Sequence, residues 1–155
     1  MSTESVIAVH RAVTVPLDPD RAFELFTARM SAYWPREHSI GTAPLDQVVV
    51  EPRAGGRWYE RGTDGGECDW GRVAVWEPPG RVVLLWQIGA DWRFDPGLET
   101  EVHVSFTEEE PGRTRVDIEH RHLERYGEQA AAMQGLFESP GAWTDTLTRF
   151  ARLAE

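Results

Sequence analysis

The sequence predicts a single α+β domain, in which an antiparallel sheet of about seven strands is covered by a C-terminal helix. Strand-like segments fill the chain between residues 46 and 122, and turns rich in Gly and Pro separate them. Such short connections make neighbouring strands antiparallel, because a parallel pair needs a much longer crossover. The length of 155 residues fits one domain over 1–155.

The N-terminal part predicts one strand and two short helices. Residues 6–15 alternate in character, although Arg11 shares the phase of apolar neighbours such as Val9 and Val13. Asp18 followed by Pro19 is typical of a helix N-cap and first helical position. A second short helix is predicted over 28–33, and Pro35 should end it.

Six further strands are predicted between the turns: residues 47–51, 57–61, 68–76, 81–88, 100–107 and 114–122. The segment 91–97 is the least regular part of this region, and we expect a mobile loop there.

Helical spacing returns near the C-terminus. Four residues lie on one face of the first part, namely Tyr126, Ala130, Met133 and Phe137. Ser139-Pro140 predicts a break and a restart. Trp143, Leu147 and Phe150 continue the apolar stripe, so we expect this helix to cover the concave face of the sheet.

Composition excludes several functions. The net charge of −10, with scattered Arg residues, argues against DNA or RNA as a partner. No apolar run has the length of a membrane span, and residues 1–5 lack the features of a signal peptide, so a cytoplasmic location is expected. A lone Cys68 between two acidic residues predicts no internal disulfide and an unreactive thiol. The sequence leaves open whether the chain forms a homodimer.

No catalytic constellation is visible. The sequence contains no nucleophile elbow, phosphate-binding loop or dinucleotide fingerprint, and no acid falls clearly in the buried phase of a strand. His120 and His122 share a strand phase, but with Glu124 alone they are too few for a zinc site, so neither a metal nor another cofactor is expected. His103 alternates against apolar residues and should face water.

Seven tryptophans offer large rigid surfaces that suit either a core or a ligand wall. Trp34 ends the helical pair and Trp143 lies on the C-terminal helix, so both are candidates for a cavity wall. Trp58 and Trp86 are candidates on strands, although the sequence leaves open which face of the sheet each side chain occupies. Trp92, in the irregular segment, is a candidate lid contact.

His120 is the candidate polar contact. Strict alternation from Val116 and Ile118 carries it to the buried face. Burial disfavours the charged imidazolium, so its pKa should fall below about 6.5. A neutral ring there offers one donor and one acceptor to a ligand, although a buried histidine bonded to a neighbouring protein group is the alternative.

Local signatures run along nearly the whole chain in a familiar order: Val15-Pro16, Tyr33-Trp34-Pro35, Pro52-Arg53-Ala54-Gly55-Gly56-Arg57-Trp58, Trp70-Gly71-Arg72-Val73, Trp76-Glu77-Pro78-Pro79, Leu85-Trp86 and Glu119-His120-Arg121. The set resembles the family named after the activator of the Hsp90 ATPase, in its single-domain bacterial form, within the START-like (SRPBCC) superfamily. The resemblance implies a helix-grip fold: a seven-stranded sheet clasping the last helix, with a cavity between them.

The superfamily hosts ligand carriers, receptors and polyketide cyclases, so the resemblance alone does not fix an activity. The leading expectation is a cavity for a small apolar or aromatic molecule, with Trp34, Trp58, Trp86 and Trp143 as wall and His120 as polar contact. One alternative is an enzyme of the polyketide cyclase or hydratase kind. The other is a protein–protein interaction module related to chaperone regulators.

Overall fold

Seven antiparallel strands form one curled sheet, in the order β1-β7-β6-β5-β4-β3-β2. The computed structural model describes residues 7–155, so residue 6 of the predicted first strand and the segment 1–5 lie outside it. The strands are β1 Val9–Val15, β2 Leu45–Val50, β3 Arg57–Gly62, β4 Glu67–Glu77, β5 Arg81–Trp86, β6 Thr100–Glu110 and β7 Arg113–Arg121. All the predicted strands are present, with ends that differ by at most a few residues.

The two short helices follow β1, as predicted. Helix α1 spans Pro19–Ala28, and the Asp18 carboxylate accepts a hydrogen bond from the Arg21 N–H at 3.0 Å. Helix α2 is the single turn Met30–Tyr33. It ends because Trp34, which precedes a proline, is held in an extended conformation with ψ 131°.

The C-terminal helical region is long and bent. A 3-10 segment Leu123–Gln129 leads into α3 (Ala130–Glu138), and α4 (Trp143–Leu153) follows after a break. The last helix begins later than Ser139-Pro140 predicts, because Ser139 and Ala142 both have non-helical backbone angles. Trp143, Leu147 and Phe150 are buried in the common core, which confirms the predicted stripe.

The contacts of Arg11 explain why this polar residue shares the strand phase of Val9 and Val13. Its guanidinium donates to the Thr144 hydroxyl at 3.0 Å and to the Glu138 carbonyl at 3.0 Å. The carbonyls at the end of a helix lack partners within the helix, so this contact satisfies one of them. Arg11 therefore joins the edge strand β1 to the break between α3 and α4.

A bulge in β4 changes the facing of one tryptophan. Trp58 pairs with Gly71 and Tyr59 pairs with Asp69, so Trp70 is the extra residue. A Cβ on Gly71 would lie 1.7 Å from the Leu85 carbonyl oxygen, so the close approach of β4 to β5 requires glycine there. The bulge brings Trp70 to the concave side, where it contacts the Trp58 ring.

His122 corrects one sequence-based prediction. We expected it on the same face as His120, but β7 ends at Arg121 and His122 has the left-handed φ of 66°. This conformation turns the chain into the 3-10 segment, so strand alternation no longer applies. The His122 ring contacts Glu124 at 3.0 Å and Glu101 at 3.6 Å, away from His120.

The outer face of the sheet agrees better with expectation. His103 lies 2.8 Å from the Glu101 carboxylate there, as the alternation of β6 predicts.

Among residues 7–155, no helix is both long and apolar enough to cross a membrane.

Candidate functional site

A cavity of about 430 Å³ opens between the concave face of the sheet, the segment after α2 and the helices α3 and α4. Its floor is built from four indole rings, one from each of four places in the fold: Trp34, Trp70, Trp86 and Trp143. Ring centroids of contacting pairs in this set are 5.0 to 6.5 Å apart. The four rings therefore form one continuous aromatic surface rather than separate walls.

Trp34 reaches this floor because α2 stops at Tyr33. Its indole N–H donates to the His38 carbonyl at 3.0 Å, so the ring also fixes the segment that follows. That segment contributes His38, Ser39 and Ile40 to the cavity lining.

His120 lies behind the floor and is completely buried, as alternation along β7 predicts. The Thr100 hydroxyl donates to the Trp86 carbonyl at 2.8 Å, so it accepts from His120 Nε2–H at 2.9 Å. His120 Nδ1 accepts from the Trp143 indole N–H at 3.2 Å. Burial lowers the pKa of His120 from 6.5 to about 3, so the ring is neutral at physiological pH.

Both nitrogens of His120 are thus used by the protein, and the ring does not line the cavity. A direct contact between His120 and a ligand, which the sequence predicts, therefore requires one of these bonds to open. In the arrangement observed, His120 holds the floor residues Trp86 and Trp143 in place.

Trp58 is also behind the floor. It is fully buried, it packs edge-on against Trp34 and Trp86, and its indole N–H points to the Met30 sulfur at 3.3 Å. Of the five residues predicted as cavity wall and polar contact, the structure brings three to the cavity surface, Trp34, Trp86 and Trp143, while Trp58 and His120 support them.

Trp86 carries a notable polar atom. Its indole N–H is buried and has no hydrogen-bond partner within residues 7–155. The nearby Tyr126 hydroxyl donates instead to the Ile88 carbonyl at 2.7 Å, and burial raises the pKa of Tyr126. The Trp86 side chain opposes this rise in pKa, so the Tyr126 oxygen lies beside the Trp86 N–H, and the nitrogen itself is shielded from the cavity.

Glu60 is a buried carboxylate that sequence reasoning missed. It is 1% exposed and faces the concave side with Trp58, two residues earlier on β3. It accepts from the Ile40 N–H at 2.6 Å, from the Gly41 N–H at 3.2 Å and from the Trp70 indole N–H at 2.9 Å. Glu60 thus anchors the segment beside the cavity and one indole of its floor.

Cys68 lies near this carboxylate, since a Cβ on Gly41 would touch both side chains. Burial raises the pKa of the Cys68 thiol, and the charges of Glu60 and Asp69 raise it further. The thiolate is therefore disfavoured, in agreement with the sequence-based interpretation of an unreactive cysteine.

The mouth of the cavity has polar and apolar parts. Glu37 and His38 are exposed polar lining residues on the segment after α2. Trp92, between β5 and β6, and Leu136, on α3, are exposed apolar lining residues. The titratable side chains of the lining are thus both at the mouth. No group of three potential metal ligands occurs within the part of the chain that the structure describes.

The curled sheet, the bent helical region and the cavity between them define a helix-grip protein of the SRPBCC superfamily. A family model described as activator of Hsp90 ATPase homolog 1-like protein matches residues 16–155. The chain belongs to this family. A search of curated proteins finds no match.

Several solved structures are similar over almost the whole chain. An anthrahydroquino-gamma-pyrone synthase, Txn09, is 34% identical with a TM-score of 0.66, over 94% of this chain and 96% of that one. The self-sacrificing resistance protein CalC from Micromonospora echinospora is 28% identical with a TM-score of 0.70, over 95% of this chain and 93% of that one. Protein MLL2253 from Mesorhizobium loti, at 16% identity and a TM-score of 0.66 over 94% and 95% of the two chains, shows the shared fold alone.

Proposed function

We propose that this chain binds a planar aromatic molecule against the indole floor of the cavity. The observation that carries this proposal is the continuous surface of Trp34, Trp70, Trp86 and Trp143 at the base of a cavity of about 430 Å³. Cavities of this size suit small organic ligands. Contact between aromatic rings contributes about 0.5–1.5 kcal/mol per pair beyond the burial of apolar area.

The floor is also held rigidly, which reduces the entropy lost on binding. His120 fixes the Trp143 ring through a hydrogen bond of 3.2 Å, and the His38 carbonyl fixes Trp34 through one of 3.0 Å.

The relatives support an aromatic ligand. The name of Txn09 describes a synthase whose product contains a fused aromatic ring system, and that protein shares 34% of its sequence with this chain. An indole floor suits a ligand of this class because flat ring systems stack on one another.

A pair of matched substitutions tests the proposal. We expect saturable binding of 1,8-dihydroxyanthraquinone in equilibrium dialysis. Trp34→Phe, which alters the floor, should weaken binding by roughly three- to tenfold. Trp76→Phe is the control, because this ring packs against Phe23 and does not line the cavity, and it should change affinity by less than about twofold.

Absence of saturable binding to the wild-type chain would refute the proposal. An equal loss of affinity in Trp76→Phe and Trp34→Phe would also refute it, because the loss would then not depend on contact with the cavity floor.

The second candidate is a cyclase, because the 34% identical relative is a synthase. Cyclisation of a reactive chain relies largely on holding it in a productive shape, which a cavity can do. Glu37 and His38 are the titratable lining residues that could assist a proton transfer.

Incubation with a poly-β-keto thioester distinguishes the two functions. Formation of a cyclised product at a rate that falls with Glu37→Gln or His38→Asn, while anthraquinone affinity stays constant, favours the enzyme.

A protein–protein interaction module receives less support, because two of the four exposed large apolar side chains within residues 7–155, Trp92 and Leu136, belong to the cavity lining.

A further inference from the structure

The connection between β5 and β6 forms a hydrogen-bonded hairpin at the mouth of the cavity. The Gly89 N–H donates to the Arg93 carbonyl at 2.8 Å, and the Trp92 N–H donates to the Gly89 carbonyl at 2.9 Å. Closer to the strands, the Asp95 N–H donates to the Gln87 carbonyl at 2.7 Å. This segment, which the sequence presents as an irregular loop, therefore places Trp92 at a defined position.

Trp92 is unfavourable for the folded chain in two respects. Its φ of 62° lies in the left-handed region, which is a clear outlier for a bulky side chain and costs free energy. Its side chain is 45% exposed, and it forms no aromatic pair with the other rings of residues 7–155, although the neighbouring floor is rich in such pairs. Packing within the chain does not account for a tryptophan at this position.

Trp92 instead lies at the rim of the cavity. Trp92 lines it from the hairpin, and Leu136, which is 41% exposed, lines it from α3. The rim therefore has an apolar part, whereas Glu37 and His38 line the cavity from the segment after α2. Phe94 is on the same hairpin and 37% exposed, but it does not line the cavity.

Resting on the proposed function, we infer that Trp92 is a ligand-contacting residue that selects extended fused-ring molecules over short ones. A short ring system is covered by the indole floor alone. A longer one reaches the rim, where its outer ring packs between Trp92 and Leu136 and buries the exposed indole.

Two ligands and three variants test this inference. Equilibrium dialysis compares 1,8-dihydroxyanthraquinone with the shorter 1-naphthol for each protein. Trp92→Asn removes the ring but keeps a residue that tolerates the left-handed region, so the midpoint of thermal unfolding should not fall. Trp92→Phe keeps an aromatic ring, and Phe94→Ala is the matched control on the same hairpin.

We expect Trp92→Asn to weaken the anthraquinone by roughly tenfold and 1-naphthol by less than about twofold. Trp92→Phe should recover most of the affinity, and Phe94→Ala should bind both ligands like the wild type. Equal anthraquinone affinity in Trp92→Asn and wild type would overturn the inference and leave the proposed function standing. Equal losses for both ligands would overturn the selection by length. If the wild-type chain binds neither ligand, the proposed function and the inference both fail.

Discussion

Replacing His120 should remove a defined part of the pH dependence of stability. Burial holds the folded-state pKa of His120 at about 3, whereas an exposed histidine has a pKa of about 6.5. The rings of Trp86, Phe137 and Trp143 and the Thr100 hydroxyl surround it, and none of them carries a charge. The depressed pKa therefore reflects burial alone.

The sign follows from proton binding. Between pH 6.5 and pH 3 the unfolded chain binds a proton at His120 and the folded chain does not, so stability falls as pH falls. The contribution of the neutral buried ring is complete above pH 6.5 and declines by about 1.4 kcal/mol per pH unit below it. Between pH 7 and pH 5 the loss from this residue is about 2 kcal/mol.

Urea unfolding at pH 7, 6 and 5 measures the effect in the wild type and in His120→Asn. Asn does not titrate, and its side-chain oxygen replaces Nδ1 as the acceptor for the Trp143 N–H. The variant should be less stable than the wild type at pH 7, but its stability should decline less steeply towards pH 5. Other titrating groups act equally in both proteins, so parallel curves would show that His120 is not buried in neutral form.

Two further predictions concern the supports of the floor. Glu60→Gln should cost about 1–3 kcal/mol in urea unfolding, because the amide group of Gln then faces N–H donors that now share a carboxylate. The control Glu67→Gln, at an exposed ion pair with Arg57, should cost less than about 1 kcal/mol. Equal costs for the two variants would contradict the anchoring role of Glu60. Trp143→Ala should cost about 3–5 kcal/mol, because it empties a buried site and leaves His120 Nδ1 without its donor, and a loss below about 1 kcal/mol would contradict the packing described.

Sequence pattern was sufficient where alternation is uninterrupted. Val116, Ile118 and His120 follow one another on β7 without a bulge, so the buried position and the lowered pKa of His120 could both be predicted. The apolar stripe of α4 is equally regular, and it placed Trp143 in the core correctly.

The pattern failed where the backbone departs from regular geometry. Trp70 reaches the cavity only because of the bulge before Gly71, and strict alternation from Val73 would put it on the other face. His122 leaves the strand phase through a left-handed conformation. The glycine next to a tryptophan in β4 is the sequence signal from which the bulge could have been predicted.

Glu60 is a different kind of omission. Its phase could be read from Trp58, two residues earlier, but a carboxylate is rarely buried without a cation. Its partners are the backbone N–H groups of Ile40 and Gly41, about twenty residues away in the chain, and no local pattern reveals such donors. The cavity itself depends on these long-range contacts, so its lining could be predicted only in part.

The indole N–H signals of the seven tryptophans provide the most direct test of the central claim, which is binding against the aromatic floor. A ¹H–¹⁵N spectrum recorded during titration with 1,8-dihydroxyanthraquinone reports on each ring separately. The account predicts saturable shifts for the lining residues Trp34, Trp70, Trp86, Trp92 and Trp143. Trp76, which packs against Phe23 at 5.0 Å and does not line the cavity, should stay unchanged. Shifts of equal size at Trp76, or no saturable shift at any lining residue, would contradict the account.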